Sequence, residues 1–324
     1  MHGVIEGIPG SNFSAGLPDY TQATAWAAAM GLITETCKYS RDQLSLPECV
    51  ITGQDGSTFH IIQARTVEQI KQGYDILCEN LSAAEVEPFD RLTRNVQGVR
   101  LCDRPTCYRL FLAINEEGLV VAAYAGNIMD LDHRHAVFIG TYAATRQCHQ
   151  RRGLITELFT SGLMQAVIDA HELNEELVLI IGDCTEASER TWNKVGRKCL
   201  YRYTADGVKE VEFLQPAIKF DLQTGFPAEG LEPVKEHLMV RSLGPDITKE
   251  LIVRAVDAYY RWCGKRPPSD FETSGADPEA YFRYRAHFDG LLTQFEEGLC
   301  AGGDLVLFSA AEREAAIREG VVFV

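Results

Sequence analysis

The tetrapeptide Gln150-Arg151-Arg152-Gly153 stands directly before a run of apolar residues at helical spacing, and its chemistry is that of an anion site. The first turn of a helix leaves backbone N–H groups unpaired and carries partial positive charge. Two guanidinium groups there, with a glycine that lets a ligand approach the backbone, suit a phosphate or a pyrophosphate. A solvated basic loop has the same sequence, so the tetrapeptide alone leaves both readings open. It is not a Walker A loop, because no G-K-[ST] follows, and it is not a dinucleotide-binding turn, because G-x-G-x-x-G is absent.

Three other groupings carry reactive side chains. Asp183-Cys184-Thr185 closes an apolar run and reads as a polar turn or as a pair that handles protons. Cys148 and Cys184 are candidate nucleophiles, but covalent catalysis needs a base within hydrogen-bond reach, and the sequence provides no partnered histidine. Asp130, Asp132, His133 and His135 spell D-L-D-H-R-H, a metal-like cluster whose preferred reading is a polar hairpin tip. The ten cysteines include no C-x-x-C pair, and several sit in apolar runs. Buried, reduced thiols are therefore expected, with neither a metal site nor a disulfide framework.

The elements that must position these residues follow from hydrophobic periodicity. Residues 1–57 read as an extension: a Gly/Pro/Ser/Asn-rich arm, a helix from Thr21 to about Cys37, and a strand fragment before a D-G turn. Residues 58–222 are regular. They open with an alternating strand from Thr58 and helices over 67–81 and 88–96. Strands over 108–115 and 119–128 form a hairpin across E-E-G, and a further strand covers 136–144. After the basic turn, Leu154, Ile155, Leu158, Phe159, Leu163, Ala166, Val167 and Ala170 mark an amphipathic helix. Leu177–Ile181 then reads as a strand buried on both faces. A short helix over 187–195 stops at Gly196, and strands are expected over 199–203 and 210–220.

Residues 223–324 begin with a Pro/Gly-rich boundary and form a smaller α/β part. Its expected elements are strands over 238–241, 304–308 and 320–324, helices over 246–262, 277–298 and 310–319, and a loop from Lys265. The stripe Tyr281, Tyr284, Phe288, Leu291, Leu292, Phe295 reads as core, with a dimer face or a lid as alternatives. Tyr259-Tyr260-Arg261-Trp262 is a candidate wall of an acceptor pocket.

The order of sheet, basic turn, amphipathic helix, buried strand and short helix resembles the acyl-CoA-binding half of the GNAT N-acetyltransferase superfamily, over about residues 58–220. Gln150-x-x-Gly153 matches the first half of that family's [QR]-x-x-G-x-[GA] loop, which grips the CoA pyrophosphate. Thr185-x-x-Ser188-x-x-x-Trp192-Asn193-Lys194-Val195-Gly196-Arg197 is similar to its N-x-x-A-x-x-x-Y-E-K-x-G-F segment. The resemblance implies an α/β fold of the α+β type: a mixed, mostly antiparallel central sheet flanked by helices, with an N-terminal extension and a smaller C-terminal α/β domain. It implies cofactor contacts from Ala143, Ala144, Thr145, His149, Gln150, Arg151, Arg152, Gly153, Leu154, Ile155, Thr185, Ser188 and Trp192. Backbone over 143–146 would pair with the pantetheine, and an N–H from 139–142 would contact the thioester carbonyl.

The sequence departs from the pattern at several positions. Ile155 takes the second Gly/Ala position, and Thr185 replaces the usual Asn. Trp192 replaces the tyrosine that often protonates the thiolate, and an indole has no acidic hydroxyl. The usual base positions fall at Ile139 or Thr141, neither a strong general base. Tyr142 and Asp183 remain as the catalytic candidates, Asp183 acting through water, although the plain reading of Tyr142 is a packed strand residue. If the resemblance holds, the D-L-D-H-R-H tip faces the acceptor side.

Composition limits the partners. The chain has 324 residues, 46% hydrophobic and 24% charged, the balance of a soluble globular protein. Lys plus Arg is 31 and Asp plus Glu is 46, a net charge of −15 that repels phosphate backbones and anionic lipid surfaces. Neither nucleic acid nor membrane is expected as a partner. The start has no basic n-region or apolar h-region, and a cytoplasmic location is expected. The expected function is direct acyl transfer from acetyl-CoA or another acyl-CoA to a small-molecule or protein amine, without a metal or a covalent intermediate, by a possible homodimer. Three alternatives stand beside it. One is a non-catalytic acyl-CoA sensor, favoured by the missing base and tyrosine. Another is an N-acyltransferase with an acyl-carrier protein as donor, met by Arg146, Arg151 and Arg152; the third is an interaction protein with no small ligand.

Overall fold

The computed structural model describes residues 49–324 apart from 54, 83–84, 99–105, 245 and 276, so the expected arm and the helix from Thr21 lie outside the described residues. The chain enters with strands β1 (Cys49–Thr52) and β2 (Thr58–Gln63) and helices α1 (Val67–Asn80) and α2 (Phe89–Val96). A meander follows: β3 (Thr106–Asn115), β4 (Val120–Asp130) and β5 (His135–Thr145). A 3-10 turn over Gln147–His149 leads into α3 (Leu154–Glu172), β6 (Glu176–Cys184), α4 (Glu186–Asn193) and β7 (Lys198–Thr204). Next come β8 (Gly207–Glu210), β9 (Phe213–Gln215) and β10 (Val234–Ser242). The chain closes with α5 (Lys249–Cys263), α6 (Pro268–Thr273), α7 (Ala280–Cys300), β11 (Leu305–Phe308) and α8 (Ala310–Arg318).

Among the described residues the strands form one 11-stranded sheet in the order β1-β2-β3-β4-β5-β6-β10-β7-β11, with β8 on β7 and β9 on β10. Every pairing between these strands is antiparallel except that of β5 with β6. This is the mixed, mostly antiparallel sheet that the resemblance implied. Alternation along the strands separates two apolar layers. Leu110 and Leu112 of β3 pack in one cluster with Ile70 and Ile76 of α1, Leu92 of α2 and Tyr284 of α7. Phe111 and Ala113 pack on the other face with Tyr124, Leu158 and Phe159. β4 is buried along its whole length, and β6 carries the continuous apolar run that a strand covered on both faces requires. Each such Leu or Ile contributes about 1.5–3 kcal/mol of transfer free energy.

Local chemistry sets the ends of the elements. Thr66 caps α1 and Gln69 returns the bond in a capping box. α6 lies inside the expected loop after Lys265; Pro268 sits at its first position, where the missing N–H costs nothing. Of the strand expected over 210–220 only β9 forms, with Glu210 ending β8 and Phe220 making an isolated bridge to Pro227. α7 begins at Ala280, after an Asp277 carboxylate that accepts the Glu279 N–H at 2.9 Å, and runs on to Cys300. Residues 320–324 contribute only a bridge from Val208 to Phe323. In the aromatic stripe, Tyr284, Phe288, Leu291 and Phe295 are buried against Phe213, Phe220 and Phe271, as the core reading expected.

Residues 223–233 hold no named helix or strand, and the chain beyond them supplies β10 and β11 to the same sheet.

Candidate active site

β5 and β6 pair only from His135↔Glu176 to Ile139↔Ile181. Beyond that level β5 stays on β4 as far as Thr145, while β6 continues on β10, with Asp183 opposite Leu238 and Cys184 opposite His237. The two parallel strands therefore part, and a cavity of about 270 Å³ opens between them. A register shift in the β4–β5 ladder, between Ala125 and Gly126, leaves Thr141 as the extra residue at the same level. The edge of β5 that faces β6 has no strand partner beyond Ile139, so alternate backbone N–H and C=O groups point into the cleft.

Three carboxylates, Glu85, Asp183 and Glu236, line the cavity. Asp183 lies across from Leu238, and Glu236 is two residues before Leu238 on the same face, so the two are neighbours. Burial lifts the Asp183 carboxyl to about 6, against the partial relief of a 3.4 Å hydrogen bond donated by Tyr259 and the positive charge of Arg197. Burial, reinforced by the charges of Asp183 and Glu85, lifts Glu236 to about 7. Carboxyls in that range exchange protons near neutrality. Tyr142 lines the same cavity, and its oxygen accepts a 3.2 Å hydrogen bond from the Glu87 backbone N–H. Burial holds that phenol well above its ordinary value, so it stays protonated. Burial likewise pushes the Cys184 thiol up to about 12, which keeps it from being a nucleophile at neutral pH.

The expected anion turn follows the end of β5. Gly153 takes a left-handed φ of 83°, Arg151 one of 65°, and α3 has no side-chain cap, so its first N–H groups stay available. The guanidinium groups are partly neutralised. Arg152 lies 3.1 Å from Asp55 and donates to Ser57 Oγ and to the Cys148 carbonyl, each at 3.3 Å. Arg146 pairs with Glu79 at 3.4 Å, while the Arg151 side chain is exposed. Gln150 donates to the Thr145 carbonyl at 3.3 Å. Burial, with the charge of Arg152, lowers the His149 imidazole, whose Nδ1 lies 3.0 Å from Cys148 Sγ. Cys148 thus has the imidazole of its immediate chain neighbour within contact distance.

The remaining expected contacts divide between the cleft and the core. Ala143, Ile155, Thr185, Ser188 and Trp192 line the cavity, and the Thr185 and Ser188 hydroxyls are 3.2 Å apart. Ala144 and Leu154 are buried, and Thr145 is half-buried at the end of β5. Tyr260 donates to the Leu214 carbonyl at 2.8 Å, whereas Tyr259, which also donates to Asp183, and Trp262, stacked on Tyr108, line a smaller cavity of about 30 Å³ that shares Glu85, Thr141, Tyr142 and Gln215 with the cleft.

The D-L-D-H-R-H tip stands at the opposite end of β5, where His135 pairs with Glu176, and not on the cleft side as the resemblance suggested. Asp130 accepts from the His133 backbone, and Asp132 binds His135 Nδ1 and Arg254, each at 3.0 Å. Among the described residues no group of three His, Cys, Asp or Glu side chains could hold a metal ion. Cleft residues that escaped the sequence include Glu85 and Tyr124, which no motif marked, Glu236, which lies on a strand outside the resembling stretch, and Arg197, which stands where the family segment ends in Phe.

No family model matches the sequence, and no curated protein matches it. Solved structures do. The structures it is similar to are GNAT-family N-acetyltransferases. The ribosomal-protein-S18-alanine N-acetyltransferase of Escherichia coli is 13% identical over 58% of this chain and 96% of its own, with a TM-score of 0.36. The GNAT domain of PAT from S. lividans is 11% identical over 63% of this chain and 99% of its own, with a TM-score of 0.35. A GCN5-related glucosamine N-acetyltransferase region in a fungal multi-domain GH3 beta-N-acetylglucosaminidase is 14% identical over 45% of this chain and 18% of that one, with a TM-score of 0.35. The cleft, not the likeness, carries the functional argument.

Proposed function

We propose that the chain is an N-acyltransferase that moves an acetyl or other acyl group from acyl-CoA to an amine in one direct step. The observation that carries this reading is the parting of β5 and β6 beside two carboxyls, Asp183 and Glu236, lifted to about 6 and about 7. The residues present fit such a donor. The open β5 edge at Ala143, Ala144 and Thr145 offers backbone partners to an extended pantetheine arm. The uncapped start of α3 (Gly153, Leu154, Ile155), with His149, Gln150, Arg151 and Arg152, suits a diphosphate. Thr185, Ser188 and Trp192 wall the cleft.

A bound thioester supplies an electrophilic acyl carbon and a sulfur leaving group. Asp183 or Glu236, directly or through water, takes the proton of the attacking amine as its nitrogen bonds to the acyl carbon and the C–S bond breaks. A backbone N–H between Ile139 and Tyr142 stabilises the charge that builds on the carbonyl oxygen. Tyr142 uses its oxygen as acceptor toward Glu87, which leaves its own proton for the departing sulfur. The high Cys184 value supports direct transfer without an acyl-cysteine. The three carboxylates favour an amine that arrives as a cation, on a small molecule or a protein. All eight described cysteines are free, which supports a cytoplasmic setting, and no helix among the described residues is long and apolar enough to cross a membrane.

Calorimetric titration with CoA and acetyl-CoA, followed by thiol release against a panel of amines, tests the proposal. Binding with amine-dependent CoA release is expected. Binding with no release from any donor supports the sensor reading, which Trp192 in place of a hydroxyl favours. Release from acyl-carrier protein alone transfers the activity to that donor, and no binding at all rejects the site.

A further inference from the structure

Arg197 follows a left-handed Gly196 (φ 79°) and is 1% exposed. Its guanidinium faces the edge-to-face pair of Phe159 and Trp192, 4.8 and 4.6 Å from their ring centroids. It reaches the level where β5 and β6 separate. A Cβ on Gly140 would lie 2.7 Å from Nη2, and a Cβ on Gly182 would lie 2.7 Å from Nη1. Glycine on both strands, just past the last paired residues, makes the room that the guanidinium fills, and the group lines the cavity.

This cation is poorly compensated. Arg197 Nε and Nη2 make no hydrogen bond, and it forms no ion pair among the described residues. Tyr124 Oη, 2.8 Å from the same point above Gly140, forms no hydrogen bond within 3.5 Å, and its electrostatic interaction with the guanidinium only partly compensates that charge. That phenol is raised to about 12 by burial and remains a donor. Asp183 follows Gly182 and so projects from the opposite face of the sheet, where it acts on the guanidinium through space without an ion pair. A buried guanidinium is costly to keep charged unless an anion meets it. A neutral acetyl group would leave it unmet. Arg197 Nη2 and the Tyr124 hydroxyl, both beside the same point above Gly140, match a carboxylate, the planar anion that guanidinium binds best.

We propose that the closed end of the cleft binds the carboxylate of an acid-terminated acyl donor, the CoA thioester of a short dicarboxylic acid, with Arg197 and Tyr124 as its ligands. The proposal rests on the acyl-CoA reading above and specifies its acyl group. Recognition of the distal carboxylate selects such donors over neutral ones of equal length, because the neutral end leaves the cation desolvated and unpaired.

The test is calorimetric binding of CoA, acetyl-CoA, butyryl-CoA and succinyl-CoA to the wild type, Tyr124→Phe, Arg197→Lys and Arg197→Phe, with circular dichroism confirming each fold. Succinyl-CoA is expected to bind the wild type at least about tenfold more tightly than butyryl-CoA, a difference of one charge-assisted contact. That ratio should shrink in Tyr124→Phe and Arg197→Lys and vanish in Arg197→Phe. Equal affinities in the wild type, or a preference that survives Arg197→Phe, overturn the proposal and leave the acyl-CoA reading standing. Arg197 variants that slow turnover of every donor equally, with no selective loss of succinyl-CoA binding, also overturn it and assign the guanidinium to the thioester carbonyl. If Arg197→Phe does not fold, an unchanged ratio in Tyr124→Phe and Arg197→Lys is the overturning result. If neither CoA nor any thioester binds, both readings fall.

Discussion

Asp183 and Glu236 tie the cleft to pH. A base with a carboxyl at about 6 or 7 works only once its proton has left, so kcat/KM should climb as pH rises through that window. Asp183→Asn should lower kcat by about 10²–10⁴, the usual yield of general-base catalysis; a pH profile that is flat across the window rejects the assignment. The same shifts act on stability with a definite sign. The fold favours the neutral carboxyl, so the stability it lends is complete below the ordinary carboxylate range and is lost as pH climbs through about 7 for Glu236. Glu236→Gln should therefore raise Tm in mildly alkaline buffer and leave it unchanged in acid, as calorimetric melts will show. Asp183 was legible because a lone acid after Leu177–Ile181 must sit where a buried strand ends. Glu236 was not, because its neighbours are set by a pairing that no local pattern encodes. Arg197 was in plain view as the last residue of a motif, yet its meaning depends on two glycines, Gly140 and Gly182, brought beside it only by the fold.

The α3 entry shows how much of an element its own sequence specifies. The helix was readable from its apolar spacing, and Gly153 as the residue that lets a ligand approach the backbone; its left-handed conformation emerged only in the fold. The ion pair of Arg152 with Asp55 was not, since Asp55 arrives from the far end of the sheet. That pair competes with any phosphate for one guanidinium. Asp55→Asn should release Arg152 and tighten CoA binding a few-fold at most, since the pair is exposed to solvent; titration showing weaker or equal affinity would remove Arg152 from the anion site. α6 illustrates the opposite error: Pro267-Pro268 invites a loop, but a proline at the first helical position is compatible with a helix, and Phe271 anchors the turn in the core.

At the scale of the molecule, the governing feature is β10, which lies between β6 and β7 although the chain places it after both. Periodicity marked it as a strand but could not say where it would insert. Its position predicts that residues 49–222 alone will not melt cooperatively, because β6 loses its partner over 179–184 and β7 loses both β10 and β11. A sharp calorimetric transition in that fragment would contradict the topology. The interleaving also orders events at the ribosome. A nascent chain that has extruded everything through β7 holds the cleft without its outer wall and without Glu236, and only translation past Ser242 supplies both. A polypeptide stopped before β10 therefore carries Asp183 on a strand with no partner beyond Ile181 and lacks Glu236, so the two facing carboxyls exist together only once β10 has been made.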